Sequence, residues 1–178
     1  MAGIVLPQVV TEDRASGAVD FGGSLAFNSR KSQSLTRTPA SASNRKTWTY
    51  SVWLKRDNIG TGAQSNHCCF FSADNGSASD NTRMHMFLGN ATDQIQHDLH
   101  SSSPRKSSCN FRDLTGWYHA CVSLDTTTGG ADSVYSHIQW WINGRAITDQ
   151  QGGWAVQNAL TEDGDYAVNG NWLHRIGA

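Results

Sequence analysis

SHIQWWINGRAI, residues 136–147, is the stretch whose reading decides the fold. Ile138, Trp140 and Ile142 share one parity, while Gln139 and Trp141 share the other. That is the period-2 pattern of a strand with one covered face. Val134 extends the inward set, and Tyr135 and His137 the outward set. Asn143-Gly144 follows at once, and both residue types tolerate the positive φ that a type I′ hairpin turn demands. Arg145-Ala146-Ile147 is therefore expected to return antiparallel, with Trp140 in the core and Trp141 on the opposite face.

The same alternation recurs outward from this hairpin. In 116–125, Tyr118, Ala120, Val122 and Leu124 fall on one side. In 47–56, Trp48, Tyr50, Val52 and Leu54 do so, and Trp53 breaks the rule by sitting on the polar face. The continuous run HCCFFSA, 67–73, suits a central strand covered on both sides. Residues 83–90 alternate through Met84, Met86 and Leu88, and 94–99 pairs back as a hairpin. Weaker strands are expected at 24–28, where Leu25 and Phe27 alternate, at 34–37, and at 171–177. Residues 58–62, 74–81, 101–108, 126–132 and 150–169 read as loops. No segment carries a 3.6-residue period with caps. Many short strands without intervening helices indicate an all-β chain of two packed sheets.

Composition agrees. The chain has 178 residues, a formal net charge of −1 and only 16% charged residues, so the basic footprint of a nucleic-acid binder is missing. Pro7 and the polar run 11–14 end the apolar start before it reaches the length of a signal peptide core, and no later segment is long enough for a membrane span. A soluble chain made in a cytoplasm is expected. The cysteines at 68, 69, 109 and 121 are expected to be mostly buried thiols, because adjacent Cys68 and Cys69 point to opposite faces of a strand.

The ordered segments SLAFNSRKSQSLTRTPASASNRKTWTYSVWLKR, FFSADNG, GWYHACVSLDTT, WWINGRAI and HRIG together resemble the concanavalin A-like, laminin-G-like jelly-roll domains of phage virion and tail-fibre proteins, marine phages in particular. The lead-in DRASGAVDFGGSLAF is similar to that of such fibre proteins, and the resemblance covers about 13–177. It implies a two-sheet antiparallel jelly-roll sandwich at 23–178 behind an extended amino-terminal arm at 1–22. It also implies a virion location after assembly in the host cytoplasm. The role implied is non-catalytic attachment as a capsid decoration or tail-fibre component. Other virion proteins and further copies of the chain are the expected partners. A lectin-like module binding host surface glycans is the alternative. Such domains continue past the HRIG strand, so this chain is either a short version or takes a strand from elsewhere, such as a neighbouring subunit.

No strand carries the spaced acids of a jelly-roll glucanase, and the acids Asp74, Asp80, Asp93, Asp132, Glu162, Asp163 and Asp165 fall in loops. No Gly-x-Ser-x-Gly or phosphate-binding loop occurs, so no enzyme is expected. His97 and His100 have opposite strand parity and do not suggest zinc. No cofactor is expected; calcium at a loop rim, held by Asp74, Asp80 or Asp163 to Asp165, is the one metal the resemblance keeps open. Among seven tryptophans, Trp48 and Trp140 have core parity, and Trp53 and Trp117 match structural positions of the resembling domains. Trp141, Trp154 and Trp172 remain as candidate ligand-binding platforms, since an exposed indole stacks on sugar rings and anchors protein partners equally well.

Overall fold

The computed structural model describes residues 22–28, 31, 33–57, 59, 68–77, 83–88, 92–99, 105–128, 137–149, 152–157 and 160–177; for 68, 83–88, 99, 149, 156 and 157 it describes the backbone alone. The arm expected at 1–22 lies almost wholly outside the described residues, as do Val134, Tyr135, His67, His100, Asp80 and Asp132.

Among the described residues eleven strands form: β1 (Leu35–Arg37), β2 (Thr47–Leu54), β3 (Cys68–Asp74), β4 (Arg83–Leu88), β5 (Ile95–Leu99), β6 (Arg105–Ser107), β7 (Tyr118–Asp125), β8 (Ile138–Ile142), β9 (Arg145–Ala146), β10 (Trp154–Gln157) and β11 (Leu173–Ile176). They make a seven-stranded sheet, β1-β11-β3-β4-β5-β6-β10, and a four-stranded sheet, β2-β7-β8-β9. Every pairing among them is antiparallel. Among the described residues the chain is nearly all β, and no helix is long and apolar enough to cross a membrane.

Alternation explains the smaller sheet. Ala120, Val122 and Leu124 of β7 and Ile138, Trp140 and Ile142 of β8 are all buried, with polar or half-exposed residues between them. β2 and β7 pair without a register break from Thr47↔Asp125 to Leu54↔Tyr118, so β2 inherits the same inward set. Asn143 and Gly144 take φ of 53° and 77°, the left-handed pair that the β8–β9 hairpin needs.

The two sheets share one core. Tyr50 of β2 packs its ring 4.6 Å from Phe71 of β3, and Trp140 meets Phe70 edge-on at 6.2 Å. A register shift between Cys69 and Phe71 explains how adjacent phenylalanines both reach Tyr50. Such a bulge leaves one residue unpaired and turns its side chain. Phe71, Ser72 and Ala73 are buried in succession, as the run HCCFFSA predicts. Ile147, Leu160, Tyr166, Ala167 and Val168 complete the core from outside the strands. Gly177 takes φ of 68°, and the Phe27 ring lies where any Cβ would stand, so the amino-terminal approach is seated against the end of β11.

Four expectations are corrected. The expected loop 150–169 contains β10, which pairs with β6. The expected polar loop 101–108 contains β6, whose Arg105 and Ser107 are fully buried. Residues 24–28 form no strand, and Leu25 is exposed. His137 is buried instead of outward, its Nε2 within hydrogen-bond distance (3.1 Å) of the Thr128 carbonyl, because it sits at the strand's first bend.

Asp93 lies in a loop, as expected, but not at the surface. It is fully buried, with Oδ1 2.8 Å from Arg56 Nη2 and Oδ2 2.9 Å from Arg112 Nε. Arg56 also donates from Nη1 to the Phe111 carbonyl at 2.5 Å, and the Phe111 N–H donates to the Asp93 carbonyl at 2.8 Å. The network joins the end of β2 to the turn before β5, tying one sheet to the other. Removing one member of a buried ion pair strands the remaining charge. Asp93→Asn, which keeps the tolerance for φ of 52°, is expected to cost about 3–5 kcal/mol in urea unfolding.

Candidate interaction surface

The outer face of the four-stranded sheet is built by the second parity of the strands that form the core. Thr49, Ser51 and Trp53 come from β2, His119, Cys121 and Ser123 from β7, and Gln139 and Trp141 from β8. Trp53 pairs across from His119, and Ser51 across from Cys121, which pairs in turn with Trp141. The Trp53 and His119 rings lie 5.0 Å apart, and Ser51 Oγ is 2.8 Å from His119 Nε2. The His119 N–H donates to Asn143 Oδ1 at 2.8 Å, and the Asn143 N–H returns to the His119 carbonyl at 2.9 Å. The imidazole is thereby held beside an indole that is 55% exposed. Trp117, just ahead of β7, is 48% exposed. This surface offers ring faces, hydroxyls and an amide, a set suited to stacking and neutral hydrogen bonding.

The three tryptophans singled out in the sequence are not brought together. Trp141 lies on this outer face and is half-buried. Trp154 starts β10, at an edge of the larger sheet, and packs against the core with the Arg105 guanidinium 5.7 Å from its ring. Trp172 precedes β11, near the other edge. Its Nε1 donates to the Ala167 carbonyl at 2.6 Å, Arg45 covers its ring at 4.6 Å, and Gly170 lies directly against it. Trp154 and Trp172 thus act as packing elements, each with a guanidinium against its ring. Trp53 and Trp117, which the resemblance marks as structural, are the two most exposed of the described tryptophans. The signal for Trp53 was its place on the polar parity of β2.

The buried polar groups serve the core. His97 of β5 is fully buried between Trp48, stacked at 6.5 Å, and Trp140, edge-on at 6.1 Å. Neither ring nitrogen has a hydrogen-bond partner among the described residues. Burial, reinforced by the Arg105 charge beside it, lowers its pKa to about 3, so it packs as a neutral aromatic. Arg105 is itself fully buried and donates from Nε to the Ile138 carbonyl at 3.4 Å, crossing from one sheet to the other. Burial likewise pushes the Tyr50 hydroxyl up to about 12, with Cys69 adding to the effect. Asp113 and Asp125 are held below the ordinary carboxylate range chiefly by hydrogen bonds from the Thr115 and Thr127 side chains. Both are turn-forming acids on the surface.

Of the acids considered for calcium, Asp74 accepts from the Gly76 N–H at 2.6 Å and Asp163 pairs with Lys46 at 3.2 Å, in separate parts of the chain. Among the described residues no three His, Cys, Asp or Glu side chains converge as metal ligands. Cys69, Cys109 and Cys121 are half-buried thiols, more accessible than the sequence suggests. A void of about 10 Å³ between the sheets is lined by apolar residues, among them Leu54, Phe70, Ile95 and Ile142. It is no larger than one water molecule and offers no polar partner. Neither the known protein-family models nor the curated proteins include a match to this chain.

Two measurements follow from these placements. Trp140→Ala is expected to cost about 3–5 kcal/mol in urea unfolding, against less than about 1 kcal/mol for Trp53→Ala. The second concerns pH. His97 has its folded pKa depressed below 6.5, so the unfolded chain binds the proton first. Its contribution is intact above pH 6.5 and declines as pH falls toward 3, by up to about 1.4 kcal/mol per unit. His97→Phe is expected to flatten the stability profile between pH 6 and 4; an unchanged slope contradicts a neutral buried imidazole.

Proposed function

We propose that this chain is a non-catalytic structural component of a phage particle surface, a capsid decoration or tail-fibre protein built as a concanavalin A-like jelly-roll sandwich. One observation carries the reading. The segments of the family resemblance fall on paired strands of two antiparallel sheets: TWTYSVWLKR supplies β2, GWYHACVSLDTT β7, WWINGRAI the β8–β9 hairpin and HRIG the end of β11. The buried charges support it too. Arg56, Asp93 and Arg105 are spent on joining the sheets. What remains outside is a stacking and pairing surface, as attachment by buried area requires. The protein is assembled in the host cytoplasm and resides on the virion, held by other virion proteins and repeated with the particle's symmetry.

A second reading, a lectin-like module for host surface glycans, is favoured by the exposed Trp53 ring beside His119 and Ser51. Two experiments separate them. Mass spectrometry of purified particles is expected to find the chain in stoichiometric, symmetry-related copies; its absence from particles contradicts the structural role. On a glycan array the structural reading expects silence, whereas specific binding lost in Trp53→Ala establishes the lectin.

A further inference from the structure

Asn-Gly occurs three times, at 75–76, 143–144 and 169–170. In this dipeptide the backbone attacks the preceding side chain readily, because glycine has no Cβ to hinder its own nitrogen. The structure treats the three copies differently. Asn143 is tethered to the neighbouring strand: its Oδ1 accepts the His119 N–H at 2.8 Å, and its own N–H donates to the His119 carbonyl at 2.9 Å. Asn169 is held from several sides. Its Nδ2 donates to the Asn44 carbonyl at 2.7 Å, its N–H to His174 Nε2 at 3.1 Å, and its carbonyl accepts the Ser43 N–H at 2.9 Å. Gly170 is buried against the Trp172 ring, and its N–H goes to the Ala167 carbonyl at 3.2 Å. In both copies the side-chain amide is bound to a distant segment, and turning it onto the glycine nitrogen costs that bond.

Asn75 is arranged the other way. It follows β3, at the start of the connection to β4, and is exposed together with Gly76 and Ser77. Two successive side chains fold forward onto the backbone. Asp74 Oδ1 accepts the Gly76 N–H at 2.6 Å, and Asn75 Oδ1 accepts the Ser77 N–H at 2.8 Å. The second bond closes a loop around the Gly76 nitrogen, so it keeps the Asn75 amide carbon beside that nitrogen. The first puts a carboxylate on the proton that the nitrogen must lose. Gly76 has φ of 81°, and no described atom lies within 4 Å of the place a Cβ would take. The space needed for ring closure is open.

We propose that Asn75-Gly76 is a self-modifying site, at which the asparagine cyclises to a succinimide and opens to aspartate and isoaspartate. The Gly76 nitrogen is the nucleophile and Asn75 Cγ the electrophile. Asp74 is the general base, at the separation that proton abstraction requires. The Ser77 N–H faces the oxygen on which negative charge develops, as an oxyanion donor does. Forming the N–Cγ bond moves the N–H proton to Asp74 and the carbonyl electron pair to Oδ1. When that pair returns, the Cγ–Nδ2 bond breaks, and Nδ2 leaves as ammonia with the proton that Asp74 held. Water then adds to one of the two imide carbonyls and opens the ring. The net change is amide plus water to carboxylic acid plus ammonia, without oxidant or reductant. The product carries a new negative charge beside Asp74, and isoaspartate adds a methylene to the backbone where β3 ends. This chemistry is intrinsic to the chain and independent of the function proposed above.

The test incubates the full chain at mildly alkaline pH, native and in urea, and follows each asparagine by peptide mapping with mass spectrometry that separates isoaspartate from aspartate. Asn75 is expected to convert about tenfold or more faster in the native chain than in urea. Asn143 and Asn169 are expected to convert more slowly native than unfolded, since each must first open locally. Asp74→Asn, which keeps a side-chain acceptor but no base, is expected to slow native Asn75 about tenfold or more. Ser77→Pro removes the N–H from Oδ1 and is expected to slow it as well. Native Asn75 converting no faster than unfolded Asn75 overturns the proposal, and this comparison needs no variant to fold. An unchanged rate in folded Asp74→Asn also overturns it. So does a product free of isoaspartate, which would mean direct hydrolysis without the ring.

Discussion

The unbroken register between β2 and β7, continued from β7 to β8, is the constraint on which the rest of this molecule depends. A shift of one residue would carry every indole, aliphatic and phenol of one face to the other. With the register as it is, Trp48, Tyr50 and Trp140 meet Phe70, Phe71 and His97 of the facing sheet. The same register places Ser51, His119 and Trp53 together outside. Core and surface are two consequences of one alignment.

The interior is not purely apolar, and the exceptions share a logic. Arg56 and Arg105 each reach from an element of one sheet to a carbonyl or carboxylate belonging to the other side of the core. A buried ion pair adds little net stability over apolar packing, but a broken one is costly. Such contacts therefore penalise misplacement of the sheets more than they reward correct placement. Trp48 Nε1, Trp140 Nε1 and both His97 nitrogens lack partners among the described residues, a polar load tolerated beside large stacked rings.

Much of the fold was legible because parity is a local signal. β2, β7, β8 and the Asn143-Gly144 turn each announce themselves within ten residues or so. β6 and β10 did not. Arg105-Lys106-Ser107 has no apolar residue, and its inward Arg105 is acceptable only because Ile138 and Trp154 lie over it. Nothing within either strand indicates the other. Leu25 and Phe27 gave the converse error: alternation without a described partner strand does not make a strand. For the candidate surface, the parity exception at Trp53 was readable. The covers on Trp154 and Trp172 were not, since Arg105 and Arg45 arrive from distant parts of the sequence.

Neighbouring positions on one strand of this protein face different surroundings, one dry and one wet. Hydroxyl-radical footprinting with residue-resolved mass spectrometry reads this directly on the native chain. Trp53 and Trp117 are expected to oxidise fastest, Trp141 more slowly, and Trp140 only on unfolding. Oxidation of native Trp140 at a rate comparable to Trp53 would contradict the alignment of the sheets and everything built on it.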